Sequence, residues 1–269
     1  MKVSVVTINY NNVAGLKRTL ESVNAQTCKD YELVIVDGES NDGSKAVIED
    51  YAASHSNVTW VAESDKGIYN AMNKGVRMSS GEYCIFMNSG DCFYDSKVLE
   101  ASMEYLDGNI YIIVGSAVIG NFLYNAPEEK ELSLSFFVKE SLCHQSAFIK
   151  RTLLLKIPYN ETRKIAGDTE FFANALIIED ASYINIPICV SRYENAGASA
   201  NIDASFKERL VAIKELLPCR MAYDVDFIYK YHNILVLKIG SFFYRDFFKK
   251  LNRIIRSVKK HKANAIDNC

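Results

Sequence analysis

Short β-branched runs alternate with apolar positions at helical spacing through the first ninety residues. Val3 to Ile8 reads as a buried strand, and Leu16, Leu20 and Val23 then recur on one helical face up to Gln26. Tyr31 to Val36 is a second strand pattern, followed by a helix with Ala46, Val47 and Tyr51 turned inward. Val58 to Ala62 gives a third strand, Ile68 to Met78 a helix, and Tyr83 to Met87 a fourth strand. Strands that alternate with helices predict an α/β fold whose sheet is parallel and doubly wound in this half.

In open α/β sheets, ligands gather at the carboxyl ends of the strands. Here those ends carry Asn9 with Tyr10, Asp37, Asp65, and Asn88 with Asp91. Each cluster taken singly is ordinary turn chemistry, since Asn, Asp and Gly favour turns. Four successive strand ends presenting Asn or Asp point instead to a shared ligand site. Gly90 lets the backbone turn sharply beside Asp91. No Gly-x-Gly-x-x-Gly follows the first strand and no Gly-Lys-Ser or Gly-Lys-Thr occurs, so dinucleotide and P-loop chemistry lose support. A diphosphate brought against Asp37, Asp65 and Asp91 needs a divalent cation to screen it, and hard cations take such oxygen ligands.

Charge and cysteine content narrow the class further. A net charge of -2 argues against a general nucleic-acid binder, which needs an excess of Lys and Arg. Seven cysteines form an odd set with no Cys-x-x-Cys pair, so reduced cytosolic thiols are expected rather than a zinc site or a disulfide framework. The opening residues run directly into a strand pattern, without the layout of a signal peptide, and no apolar run is long enough to span a bilayer. A cytoplasmic location is the expectation.

Several motifs together resemble the inverting family 2 glycosyltransferases, which transfer a sugar from a nucleotide-diphosphate donor on a GT-A fold. The resemblance covers roughly residues 1 to 200. Val5-Val6-Thr7-Ile8-Asn9-Tyr10-Asn11 is similar to the family's opening strand, and Val36-Asp37-Gly38-Glu39-Ser40-Asn41-Asp42-Gly43 to its Val-Asp-Gly-Gly-Ser-Thr-Asp-Gly turn. The run from Ser64 through Asp65-Lys66-Gly67-Ile68-Tyr69-Asn70-Ala71-Met72-Asn73-Lys74-Gly75 resembles the segment that marks a subgroup making bacterial surface polysaccharide. The resemblance implies a mixed sheet flanked by helices. It also implies a nucleotide-sugar site built from Thr7, Asn9, Tyr10, Asp37, Asp65, Asn88, Ser89 and Gly90, with Asp37 on the donor base and UDP as the commonest donor nucleotide. Asn88-Ser89-Gly90-Asp91 stands where the family has Asp-x-Asp, with Asn and Gly at the first acidic positions. By the same resemblance Asp91 is the ligand of a Mg²⁺ or Mn²⁺ ion, and Asn88 offers at most a carbonyl oxygen.

Cys143-His144-Gln145-Ser146-Ala147-Phe148 resembles the family's His-Gln segment near the acceptor, and Ala166-Gly167-Asp168-Thr169-Glu170-Phe171-Phe172 resembles the segment holding its catalytic base. Asp168 is therefore the candidate base, with Glu170 as second choice. Inversion needs a base on the face opposite the leaving group to take the acceptor hydroxyl's proton. An Asp opening a helix over Thr169 to Leu176 also caps free amides whether or not it catalyses anything. His144 beside apolar Ala147 and Phe148 reads equally as a hydrogen-bonded core residue. Arg192-Tyr193-Glu194-Asn195-Ala196-Gly197-Ala198-Ser199 resembles a Gly-Gly-x-Ser ending, with Ala196 in place of the first glycine, and the resemblance implies that Ser199 closes over the diphosphate.

After Pro218 aromatic and basic residues dominate, so residues 1–218 are expected to form the GT-A domain and residues 219–269 a helical appendage. Phe247, Leu251, Ile254 and Val258 share a helical face in a stretch (243–262) whose other positions carry eight Lys and Arg side chains. Such a helix suits an anionic membrane surface, and suits docking on protein as well. The family's frequent lipid-linked acceptors favour a peripheral contact with the inner face of the membrane. The reading is an inverting, metal-dependent glycosyltransferase acting on a glycan or lipid-linked acceptor in surface polysaccharide synthesis. The alternative is a GT-A-like nucleotide-sugar-binding or assembly protein without catalysis.

Overall fold

The computed structural model describes residues 2–193 and 202–238. Strand β1 (Val3–Asn9) leads to helix α1 (Val13–Asn24), β2 (Tyr31–Asp37) to α2 (Ser44–Ser54), and β3 (Val58–Ala62) to α3 (Ile68–Met78). There follow β4 (Tyr83–Phe86), β5 (Cys92–Phe93), α4 (Val98–Ser102), β6 (Ile112–Ile119), β7 (Phe122–Tyr124) and α5 (Leu134–Lys139). The rest comprises β8 (Ala147–Lys150), α6 (Arg151–Lys156), α7 (Gly167–Ala173), β9 (Tyr183–Tyr193), α8 (Ile202–Leu216) and α9 (Cys219–Lys238). The first four strands and three helices fall where the hydrophobic pattern predicts them. Helix α7 is shorter than predicted and widens into a π-type turn over Asn174–Ile178.

The strands form one sheet in the order β3-β2-β1-β4-β8-β6-β9-β5, with β7 paired to β6. Strands β3, β2, β1 and β4 are parallel, as predicted. Beyond β4 the sheet is mixed: β8 is antiparallel to both β4 and β6, β9 is parallel to β6, and β5 is antiparallel to β9. Hydrophobic periodicity carries no strand direction, so this half was open to the residue pattern and matches the mixed sheet that the family resemblance implied.

Both faces of the parallel half are covered, which is why its strands are continuous apolar runs. One layer packs Val6, Ile8, Val34, Val36 and Phe86 against α3 and the later helices, including Phe137, Phe171 and Phe172. The other packs Val3, Val5, Leu33, Ile35 and Ile85 against Leu16, Leu20 and Ile48 of α1 and α2. Helices α8 and α9 lie against α5 and α7, and Ile213, Leu217, Val225 and Ile228 are buried in the first of these layers. The boundary drawn after Pro218 therefore falls within one core: Val225 and Ile228 in the first turns of α9 pack in the same layer as the strands before it. The basic stretch 243–262 lies outside the described residues. Among the described residues no helix is long and apolar enough to cross a membrane.

Glu32 locks the edge of the sheet opposite the strand ends. Its Oε1 accepts hydrogen bonds from Ser4 Oγ, Ser80 N, Ser80 Oγ and Gly81 N, joining β1, β2 and the turn before β4. Burial pushes its pKa up, and the hydrogen bonds from Ser4, Ser80 and Gly81 outweigh that, leaving it below the ordinary value of 4.5. A carboxylate with a depressed folded-state pKa stabilises the fold above its unfolded pKa and loses that contribution as pH falls through the folded value. Glu32→Gln is expected to cost about 1–3 kcal/mol at pH 7 by urea unfolding. The gap between variant and wild type should narrow as the pH is lowered through 4, and a gap independent of pH would contradict this account.

Candidate active site

The parallel register aligns Asn9 with Asp37 and Asp37 with Ala62, so the polar strand ends share one rim. They open on a cavity of about 740 Å³ lined by Ile8, Asn9, Tyr10, Asn12, Gly38, Glu39, Ser64, Asp65, Gly67, Ile68, Ala71, Asn88 and Ser89. Among the residues expected at a nucleotide, Asn9, Tyr10, Asp65, Asn88 and Ser89 are brought together here. Tyr10 is 70% exposed and offers its ring as a stacking surface. Asp65 is held by Lys74 Nζ at 2.6 Å.

Three of the expected contacts, Thr7, Asp37 and Gly90, do not line the cavity. Thr7 is fully buried, and its Oγ1 has no partner among the described residues. Asp37 is also fully buried, and its carboxylate accepts from Asn9 Nδ2 (2.6 Å), Ser40 Oγ (2.7 Å) and Ser40 N (2.8 Å). Asp37 therefore holds Asn9 and the Gly38–Glu39 backbone in place, while these neighbours face the cavity.

The turn over residues 88–91 is anchored to β1 and α1. Ser89 N donates to Ile8 O at 3.0 Å, Asn12 Nδ2 to Ser89 O at 2.9 Å, and Gly90 N to Thr19 Oγ1 at 3.0 Å. The Thr19 hydroxyl in turn lies 2.7 Å from Asp91 O. Gly90 has φ +110, a conformation that disfavours any side chain. Thr19 and Asn12 are thus part of the site, and nothing marks Thr19 in the sequence as more than a polar position on α1. Asp91 emerges from this turn half-buried. Burial pushes its carboxyl up to about 6, against the pull of His144, Gln145 and the Asn88 backbone.

His144, delivered by a short 3₁₀ turn before β8, joins this turn to the segment at α7. Its Nδ1 lies 3.2 Å from Asp168 Oδ2 and its Nε2 3.4 Å from Asn88 Nδ2. An ionised carboxylate can only accept, so Nδ1 carries the hydrogen and Nε2 accepts from the Asn88 amide. His144 is therefore not a core residue of β8 but the link between Asn88 and Asp168. Among the described residues, Asn88 Oδ1 is left buried without a partner, as are Asn9 Oδ1 and Ser89 Oγ.

Asp168 does not serve as the N-cap of α7. That position is Ala166, and among the backbone amides of α7 Asp168 is bonded by the adjacent Thr169 N, at 2.7 Å. Amides 164 to 166 are satisfied instead by Glu208 of α8, at 2.8, 2.6 and 2.8 Å. Glu208, absent from the sequence-based site, fixes the loop that presents Asp168. Glu170 points away: it accepts from Arg163 Nε at 2.5 Å and from Asn160 Nδ2 at 3.1 Å, and Arg163 also engages Glu215. That ion pair gives Glu170 a structural role and removes it as a second base. Ser199 lies outside the described residues.

Among the described residues no three His, Cys, Asp or Glu side chains converge as a metal cage. The groups present are nonetheless the oxygen donors a hard cation uses: the desolvated Asp91 carboxyl and the orphaned Asn88 Oδ1. They fit a Mg²⁺ or Mn²⁺ ion that takes its other ligands from phosphate and water.

The family model for glycosyl transferase family 2 matches residues 4–165. A PGL/p-HBAD biosynthesis glycosyltransferase of Mycobacterium bovis is 27% identical over 217 residues, which is 77% of this chain and 83% of that protein. The fold also matches residues 1–349 of Staphylococcus aureus TarS, solved with UDP-GlcNAc: the TM-score is 0.65 at 18% identity, covering 90% of this chain and 77% of that one. Against a longer TarS chain the coverage falls to 46% of its length. Glucosyl-3-phosphoglycerate synthase of Mycobacterium tuberculosis, solved with Mn²⁺, UDP and glucosyl-3-phosphoglycerate, superposes with a TM-score of 0.56 at 15% identity over 80% of this chain and 79% of that one. With more than half of its length matched by the family model and a GT-A sheet beneath it, this chain belongs to glycosyl transferase family 2.

Proposed function

We propose that this chain is an inverting glycosyltransferase that moves a sugar from a nucleotide-diphosphate donor to an acceptor hydroxyl, with Asp168 as the base and Asp91 as the metal ligand. The observation that carries the reading is the chain of contacts Asn88–His144–Asp168, which links the Asp168 carboxylate to the turn at Asn88, whose first residues line the cavity.

The nucleoside occupies the cavity, with Tyr10 as its stacking surface and the open Asn9 Oδ1 as an acceptor. The donor's diphosphate then reaches the turn at Asn88 to Asp91. Asp91 and Asn88 Oδ1 would hold Mg²⁺ or Mn²⁺, which when bound supplies positive charge to the departing diphosphate. His144 fixes Asp168 through its Nδ1–H. Asp168 takes the acceptor hydroxyl's proton as the acceptor oxygen bonds the anomeric carbon and the bond from that carbon to the phosphate oxygen breaks. One displacement inverts the configuration and leaves no covalent intermediate.

UDP is the nucleotide in the TarS and glucosyl-3-phosphoglycerate synthase structures, which supports a UDP-linked donor here. The mycobacterial relatives are named for PGL/p-HBAD biosynthesis, which supports a glycan or lipid-linked acceptor and a cell-surface product. Residues 243–262 would hold the protein at the inner face of a membrane.

With UDP at about 100 times its dissociation constant and Mn²⁺ present, binding should add roughly 2.7 kcal/mol and raise Tm by several degrees. Asp91→Ala should remove the Mn²⁺-dependent part of that shift, and a variant that kept it would refute the metal assignment. Asp168→Asn should keep the nucleotide shift and lose about 10²- to 10⁴-fold in kcat. A wild-type rate in that variant would exclude Asp168 as the base. A protein that bound the donor yet released no nucleoside diphosphate with any acceptor would instead be the binding protein of the alternative reading.

A further inference from the structure

We infer that helix α3 is the mount that holds the base in register with the donor, and that Tyr69 is its positioning residue. The inference rests on Asp168 being the base. Gly67, Ile68 and Ala71 at the start of α3 line the donor cavity. Tyr69, Asn70 and Asn73 of the same helix face the segment from Tyr159 to Asp168 and bind it at both ends.

At the far end of that segment, Asn73 exchanges two hydrogen bonds with the Tyr159 backbone: Nδ2 donates to Tyr159 O at 2.9 Å and Oδ1 accepts from Tyr159 N at 3.0 Å. Glu161 accepts from Asn70 Nδ2 at 2.7 Å and from Asn73 Nδ2 at 3.0 Å. At the near end, the Tyr69 hydroxyl donates to Ile165 O at 2.6 Å and lies 3.5 Å from Asp168 Oδ1. The Tyr69 ring lies flush against Gly167, where an added Cβ would come within 2.6 Å of ring carbon. That contact accounts for glycine beside the base.

Packing explains the ring and not the hydroxyl. Tyr69 is 4% exposed, and a phenylalanine would fill the same volume against Tyr159 and Gly167. The hydroxyl is aimed at a carbonyl three residues before Asp168, and burial holds the phenol well above its ordinary pKa, so it remains a donor. One rigid helix therefore touches the donor with one side and fixes the base with the other. Displacement of a reacting group by about 1 Å can cost roughly 100-fold in rate, so such a mount acts on turnover and not on donor affinity.

The test is Tyr69→Phe in the full chain, alone and combined with Asp168→Asn. Tyr69→Phe should lower kcat at least about tenfold while the donor KM and the UDP–Mn²⁺ thermal shift stay within twofold and one degree of wild type. In the Asp168→Asn background the same change should cost nothing further, because the group it positions has gone. Hydrogen exchange should quicken at amides 163–169 in Tyr69→Phe and stay unchanged in β1 and β2, a readout that needs no turnover. Gly167→Ala, which presses on the ring from the other side, should reproduce the loss in kcat. Equal losses in both backgrounds, unchanged kcat, or unchanged exchange at 163–169 would overturn the inference. A wild-type rate in Asp168→Asn alone would sink the base assignment, and is seen before Tyr69 is altered.

Discussion

The in-register parallel pairing of β1 with β2 and β4 is the constraint on which the site depends. A parallel ladder has no freedom to slide by one residue without turning each buried side chain to the opposite face. Val6, Ile8, Val34 and Val36 are committed to one layer and Val5, Leu33 and Ile35 to the other, so the register is fixed by burial alone. Asn9, Asp37 and the Asn88 turn then reach the same rim as a consequence of core packing.

Within that rim, structure and ligand chemistry divide by hydrogen-bond satisfaction. Asp37, Glu170 and Glu208 have their oxygens engaged by neighbouring amides, hydroxyls or guanidinium groups, and each holds a loop. Asn9 Oδ1, Asn88 Oδ1 and Ser89 Oγ are buried with no partner among the described residues, and burial makes Asp91 keep its proton to higher pH than an ordinary carboxyl. Leaving a buried polar atom unpaired costs about 1–3 kcal/mol. Three such deficits on residues lining one cavity are the mark of groups whose partners come with the ligand.

The first four strands, their helices and the four polar strand ends were legible because period-2 and period-3.6 patterns are local properties of the chain. The motifs around Asp91, His144 and Asp168 were legible as a resemblance. Contacts between residues far apart were not. Glu208 and Thr19 enter the site only through folding, and their types are ordinary for exposed or amphipathic helices. Asp37 and Glu170 were read as site residues because they stand within the matched motifs, while their contacts with Asn9 and Ser40 and with Arg163 depend on positions far along the chain or on side-chain direction, which no motif carries. The boundary after Pro218 followed a change in composition, whereas Val225 and Ile228 show that the core continues past it.

The layer that covers β1, β2 and β4 on the α3 side is drawn partly from α7, α8 and α9, residues 167 to 238. A ribosome makes the parallel strands first, but their apolar face has only part of its cover, α3 first, until these last helices have been made. The nascent chain must therefore carry an exposed, half-built sheet through most of its synthesis. The cavity rim is built from residues 8 to 89, whereas the segment that carries Asp168 is made with α7, so the two sides of the proposed site are synthesised at different times. Covering that face with α7 to α9 therefore also brings Asp168 beside His144 and the turn at Asn88.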